Sequence, residues 1–153
     1  MHESSMRLMA HFRDRYLGDL QGCTVLDVGA MIAVEGRRAS YRELFRDYQY
    51  TGMDVAPGKN VDIVGYDDLG VYDVVISGQV MEHVRRPWEW LKVLAGLYRE
   101  YICIIAPNTW KWHGSPLDTY RYFPDGMRDL FDYAGITPVE VRAVGRDTIG
   151  IGK

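Results

Sequence analysis

The chain has 153 residues, 47% apolar and 25% charged, and a net charge of −3. Such a composition suits one globular domain that buries roughly 68–70% of its surface and needs no disulfide or metal staple. It gives no electrostatic basis for binding nucleic acid, and no apolar run approaches the ~20 residues of a membrane span.

Residues 1–20 predict an amphipathic helix, with Leu8, Phe12 and Tyr16 at four-residue spacing among Arg7, Arg13, Asp14 and Arg15. No signal-peptide core is present. Cys23 and Cys103 sit in apolar runs and read as buried thiols rather than zinc ligands, so a cytoplasmic protein is expected. Thr24–Gly29 lacks alternation, as in a central strand covered on both faces. Ser40-Tyr41-Arg42-Glu43 reads as a capping box that opens a short helix. Tyr48–Val55 is strand two, Pro57-Gly58 a turn, and Val61–Val64 a brief strand three. About five residues join those strands, whereas a parallel crossover usually takes a dozen or more. Strand three is therefore displaced or reached by an extended link, and the fold is trimmed there.

Tyr72–Ser77 is strand four. Pro87 opens a helix in which Trp88, Leu91, Ala95 and Tyr98 recur at helical spacing beside Leu94. Tyr101–Ala106 is strand five. Residues 108–123 form a loop rich in aromatics, and a helix over Pro124–Ala134 stops at Gly135. Val139–Val144 and Thr148–Ile151 close the chain as a β-hairpin. The whole reads as one α/β unit without repeats.

Candidate chemistry clusters at the strand ends. Asp27 and Gly29 end strand one, and Asp54 ends strand two, 25 positions after that glycine. An acid there suits ribose hydroxyls, and a glycine admits a ligand close to the backbone. Yet Ala30-Met31 follows, and the next glycine is Gly36, so no dinucleotide-type glycine cluster exists. Capping and turn formation are the structural alternatives for the two acids. Tyr66, Asp67 and Asp68 follow strand three and could line an adenine site, or form an ordinary loop. Gln79 offers a donor and an acceptor, and Glu82-His83 is either an acid–base pair or a structural one. In the loop, His113, Asp118 and Arg121 suggest a polar site, while Trp110, Trp112, Tyr120 and Tyr122 suit a satellite core. No ligand spacing supports a metal at Glu82, His83, His113 and Asp118, so none is expected. Arg37-Arg38 and Arg85-Arg86 read as solvated basic pairs.

Taken together, these segments resemble the class I S-adenosylmethionine-dependent methyltransferases, in particular small bacterial "methyltransferase type 11" proteins. Val25-Leu26-Asp27-Val28-Gly29 is similar to the family's first motif and Tyr50–Val55 to its second. Tyr72–Val84 resembles its most specific segment, and His113–Gly126 is similar to a stretch found in a subset after strand five. The resemblance implies a Rossmann-like α/β sheet of order 3-2-1-4-5-7-6 with the last strand antiparallel. It implies S-adenosyl-L-methionine as cofactor, Asp27, Gly29 and Gln79 beside its methionine part, Asp54 on the ribose, and an adenine-side position near Asp67. His113 is the candidate base, with Asp118 orienting it, toward a small-molecule or saccharide-like acceptor. Ala30-Met31 motivates a second expectation, a non-catalytic relative acting as a partner subunit. The missing G-x-G-x-x-G pattern argues against a nicotinamide-dependent oxidoreductase.

Overall fold

The computed structural model describes residues 3–20, 22–32, 40–67, 69–114 and 117–153. Arg37-Arg38, Gly36, Asp68 and Pro116 lie outside them. Helix α1 (Glu3–Tyr16) precedes β1 (Thr24–Val28), the one-turn α2 (Tyr41–Leu44), β2 (Gln49–Asp54), β3 (Ile63–Val64) and β4 (Tyr72–Gly78). A 3-10 turn over Met81–His83 leads to α3 (Pro87–Ala95), β5 (Tyr98–Pro107), α4 (Pro124–Ala134), β6 (Pro138–Val144) and β7 (Asp147–Gly152). The strands form one sheet of order β3-β2-β1-β4-β5-β7-β6. Only β7 runs antiparallel to its neighbours, as expected from the sequence.

Successive strand residues point to opposite faces, so the apolar runs of β1, β4 and β5 feed two layers at once. Leu26, Val28, Val75, Ile102 and Ile104 pack under Trp90, Leu91 and Leu94 of α3 and Met127 and Phe131 of α4. On the other face Val25, Val74, Ile76 and Ile105 pack under Leu8, Met9 and Phe12 of α1, with Tyr41 and Phe45. Each such aliphatic side chain contributes about 1.5–3 kcal/mol through burial. Among the described residues, no helix is long and apolar enough to cross a membrane.

Several local expectations are corrected. Ser40 precedes α2 in extended backbone but its side chain makes no capping bond, and the helix lasts four residues. Burial of Tyr41 and Phe45, rather than a capping box, seats this turn. Tyr98 belongs to β5, because the backbone leaves the helix after Ala95, and Trp90, Leu91 and Leu94 form the inward face of α3. Cys23 is half-buried, while Cys103 is buried as expected.

The link between β2 and β3 carries a turn over Gly58–Val61 and no helix, and side chains fasten it. Asp62 Oδ2 accepts from the Gly52 amide at 2.7 Å and from Arg42 at 2.5 Å. Asn60, at φ +75°, accepts from Arg42 Nε at 2.6 Å and donates to the Ala30 carbonyl at 2.8 Å. The Asn60 carbonyl lies where a side chain on Gly52 would stand, so that position admits only glycine. These bonds replace the packing that a crossover helix would supply.

Candidate functional site

A cavity of about 520 Å³ opens at the carboxyl ends of β1, β2 and β4, the point where strand order reverses. Ligands of open α/β sheets bind at this place. Its floor is backbone. Gly29, at φ +83°, turns the chain out of β1, and a Cβ there would collide with the Val80 side chain. The amides of Gly29 and Ala30 both donate to the Met53 carbonyl, at 2.9 and 3.0 Å. Asp54 lines the wall, its Oδ2 accepting from the Met31 amide at 3.0 Å and its Oδ1 from the Val55 amide at 2.8 Å. Ala30 is buried and Met31 lines the cavity, so the turn closes without further glycines.

Across from Asp54, Tyr66 and Trp90 form an aromatic wall, joined by a 2.8 Å bond from Trp90 Nε1 to the Tyr66 hydroxyl. Gln79 completes the floor beyond β4 at φ +61°, an uncommon conformation for a residue with a side chain. Its Nε2 donates to Asp147 Oδ1 at 2.9 Å, and Ser4 of α1 donates to the other oxygen at 2.6 Å.

The far end is made from the 3-10 turn and the loop that follows β5. The Thr119 amide and hydroxyl both donate to the Glu82 carbonyl at 2.8 Å, and the Tyr122 hydroxyl donates to the Met81 carbonyl at 2.9 Å. Arg121 organises the loop. It chelates Asp118 at 2.5 and 2.8 Å and donates to the carbonyls of Trp110, Lys111 and Tyr120. The Asp118 carboxylate also accepts from the His113 amide at 2.8 Å, and its side chain is fully enclosed. The Arg121 guanidinium holds Asp118 well below the usual carboxylate range.

His83 lines the cavity, and its Nδ1 is bonded to the Leu117 carbonyl. The His83 and His113 rings meet edge to face, 5.1 Å apart. His113 Nδ1 lies 3.3 Å from Asp118 Oδ2. Glu82 is 1% exposed, and burial pushes its carboxyl up to about 7.

No family model matches the chain, and no curated protein matches it. Solved structures do. The 1,6-didemethyltoxoflavin-N1-methyltransferase of Burkholderia thailandensis, with S-adenosylhomocysteine bound, superposes with TM-score 0.76 at 15% identity, over 98% of this chain and 78% of its own. Magnesium protoporphyrin IX methyltransferase from Synechocystis PCC 6803 gives TM-score 0.70 at 17% identity, over 99% and 82%. A SAM-dependent methyltransferase from Archaeoglobus fulgidus gives 0.65 at 19%, over 97% and 94%. The chain has the class I methyltransferase fold.

Within this fold the sequence-predicted residues are distributed unevenly. Gly29, Asp54 and Gln79 converge on the cavity. Asp27 is 2% exposed on the face that carries α1 and α2, outside the cavity wall, and accepts a bond from the Tyr50 hydroxyl. Burial pushes its carboxyl up to about 7. Asp67 is exposed, outside the wall that its neighbour Tyr66 forms. His113 and Asp118 are adjacent but stand behind His83 rather than in the wall. Sequence reasoning missed Met31 and Trp90 as wall residues and left His83 open between an acid–base and a structural role. The helical register that put Trp88 on the inward face hid Trp90. A second, more open hollow of about 700 Å³ borders Arg42, Arg46 and Lys59. There Arg42 is already bonded to Asn60 and Asp62.

Proposed function

We propose that the chain is an S-adenosylmethionine-dependent methyltransferase acting on a small-molecule or saccharide-like acceptor. The observation that carries this reading is the Asp54 carboxylate at the end of β2, in the wall of a cavity floored by Gly29 and Gln79. Each of its oxygens takes one backbone amide, which fixes the carboxylate and leaves a free acceptor lone pair on each for a ribose hydroxyl pair. Tyr66 and Trp90 provide an apolar wall for the adenine. Gly29 and Gln79 border the methionine part. Asp27 acts through Tyr50 on the underside of the site, and Asp67 stands at the lip beyond Tyr66.

When bound, the sulfonium supplies an already activated methyl group. The chain's own task is to align an acceptor with it and to take up a proton where the acceptor carries one. The imidazole pair stands at that end, with Asp118 at the back of His113 and enclosed by Arg121. Trp112, 78% exposed, and Tyr120, 42% exposed, suit an acceptor with a flat or sugar-like ring. The deciding experiment is calorimetry with S-adenosylhomocysteine. Saturable binding is expected, and Asp54→Ala should weaken it by about 1–3 kcal/mol. Absence of binding at millimolar ligand overturns the enzyme reading and favours the partner-subunit alternative. Unchanged affinity in the variant refutes the ribose role.

A further inference from the structure

His83 and its neighbour Glu82 are 30 and 31 positions from His113 in the chain, yet the fold brings one ligand atom from each within 4.8 Å of the others. The two imidazoles are prepared in the same way. The Nδ1 of His83 is bonded to the Leu117 carbonyl, which fixes that ring and leaves Nε2 as its free nitrogen, 3.9 Å from Glu82 Oε1. The Nδ1 of His113 lies 3.3 Å from both the Asp118 carboxylate and the Lys111 carbonyl, and Asp118 is itself chelated by Arg121. A backbone carbonyl or carboxylate on the non-ligating nitrogen is the usual support of a metal-binding histidine. The third group, Glu82, is almost wholly buried, and its Oε2 has no hydrogen-bond partner. A buried carboxylate oxygen without a partner is costly unless something cationic or protic is there to meet it.

We infer that Glu82, His83 and His113 form a divalent-metal site at the acceptor end of the cavity. Two imidazoles and one carboxylate suit a first-row ion such as Zn²⁺ or Fe²⁺ rather than an all-oxygen cation such as Mg²⁺. An ion about 2.0–2.1 Å from each ligand brings the ligand atoms to roughly 3–3.5 Å from one another. The exposed segment that carries His113 closes the remaining gap. Three protein ligands leave at least one position open, and one of the three, His83, is part of the cavity wall. The inference rests on the methyltransferase reading for its purpose. An acceptor hydroxyl on the open position releases its proton to water. The oxygen lone pair then forms the new O–C bond, while the C–S bond breaks and the sulfur keeps its electron pair. The ion thereby takes over the proton-removing role of the imidazoles.

The test uses tag-free, chelator-stripped protein titrated with Co²⁺ alone and followed by visible absorption. One saturable site of micromolar affinity is expected, with Zn²⁺ displacing the colour. His83→Ala and His113→Ala should each weaken it tenfold or more, and Asp118→Asn about tenfold through the ring that it supports. No saturable binding below about 1 mM, or binding that survives His113→Ala, overturns the site. His113 is on an exposed segment, so that variant is expected to melt with the parent; His113→Gln replaces it if it does not. S-adenosylhomocysteine calorimetry on the same samples separates the two readings. Metal without cofactor binding refutes only the methyltransferase, and cofactor without metal binding refutes only the metal site.

Discussion

The two ends of the cavity are built in opposite ways. At the β1–β2 end the chain uses backbone: amides of Gly29, Ala30 and Met31 are spent on Met53 and Asp54, and the positive φ of Gly29 sets the turn. Every group there comes from the ends of two adjacent parallel strands. At the far end the chain uses side chains drawn from a 3-10 turn and a loop without regular structure, joined through Arg121, Asp118 and Thr119. A site that meets an invariant nucleotide can be rigid and local, whereas one that meets a particular acceptor is assembled from parts that can vary.

That contrast can be broken or sharpened by experiment. The largest effect is expected beneath the rigid end, at Asp27. Its folded carboxyl titrates at about 7 through burial, against 3.8 ordinarily. Ionisation is therefore penalised only in the folded state. The penalty is absent below both values, grows as pH rises from about 4 to 7, and reaches about 4 kcal/mol above that range. Urea unfolding should give greater stability at pH 5 than at pH 8 from this group, and Asp27→Asn should flatten the slope. An unaltered slope in the variant would show that Asp27 is charged at no such cost. Gly29→Ala comes next. A Cβ would strike Val80 at a positive φ, and a loss of about 2–4 kcal/mol by chemical denaturation is expected, together with weaker S-adenosylhomocysteine binding. A loss below 1 kcal/mol would mean that this end yields as readily as the other. The smallest effect is at Trp112 on the loop. Trp112→Ala should change stability by less than about 0.5 kcal/mol, because the ring is mostly in solvent, yet raise the acceptor KM. Strong destabilisation would make the loop a packed core instead.

The same contrast explains what the sequence disclosed. The strands themselves, the terminal hairpin and the Gly29–Asp54 pair were legible because they depend on apolar runs, turn residues and short spacings, whereas the strand order came from the resemblance to class I methyltransferases. The Tyr66–Trp90 bond, the Gln79–Asp147 bond and the His83–His113 contact were not, because each joins segments that only the completed sheet brings together. Ser40 was misread for a related reason: burial of Tyr41 and Phe45 decides where that turn sits, and the capping pattern is left unused. Of the residues named after strand three, Tyr66 lies in the cavity wall and Asp67 is exposed outside it.

The buried Asp147 joins the first turn of α1 to the floor of the cavity, with Ser4 on one oxygen and Gln79 on the other. The amino-terminal helix is thus bonded, through one buried carboxylate, to a residue that lines the cavity. Trimming its first turn, or fusing a bulky partner against it, would release one side of that carboxylate and let Gln79 relax from its unusual backbone geometry.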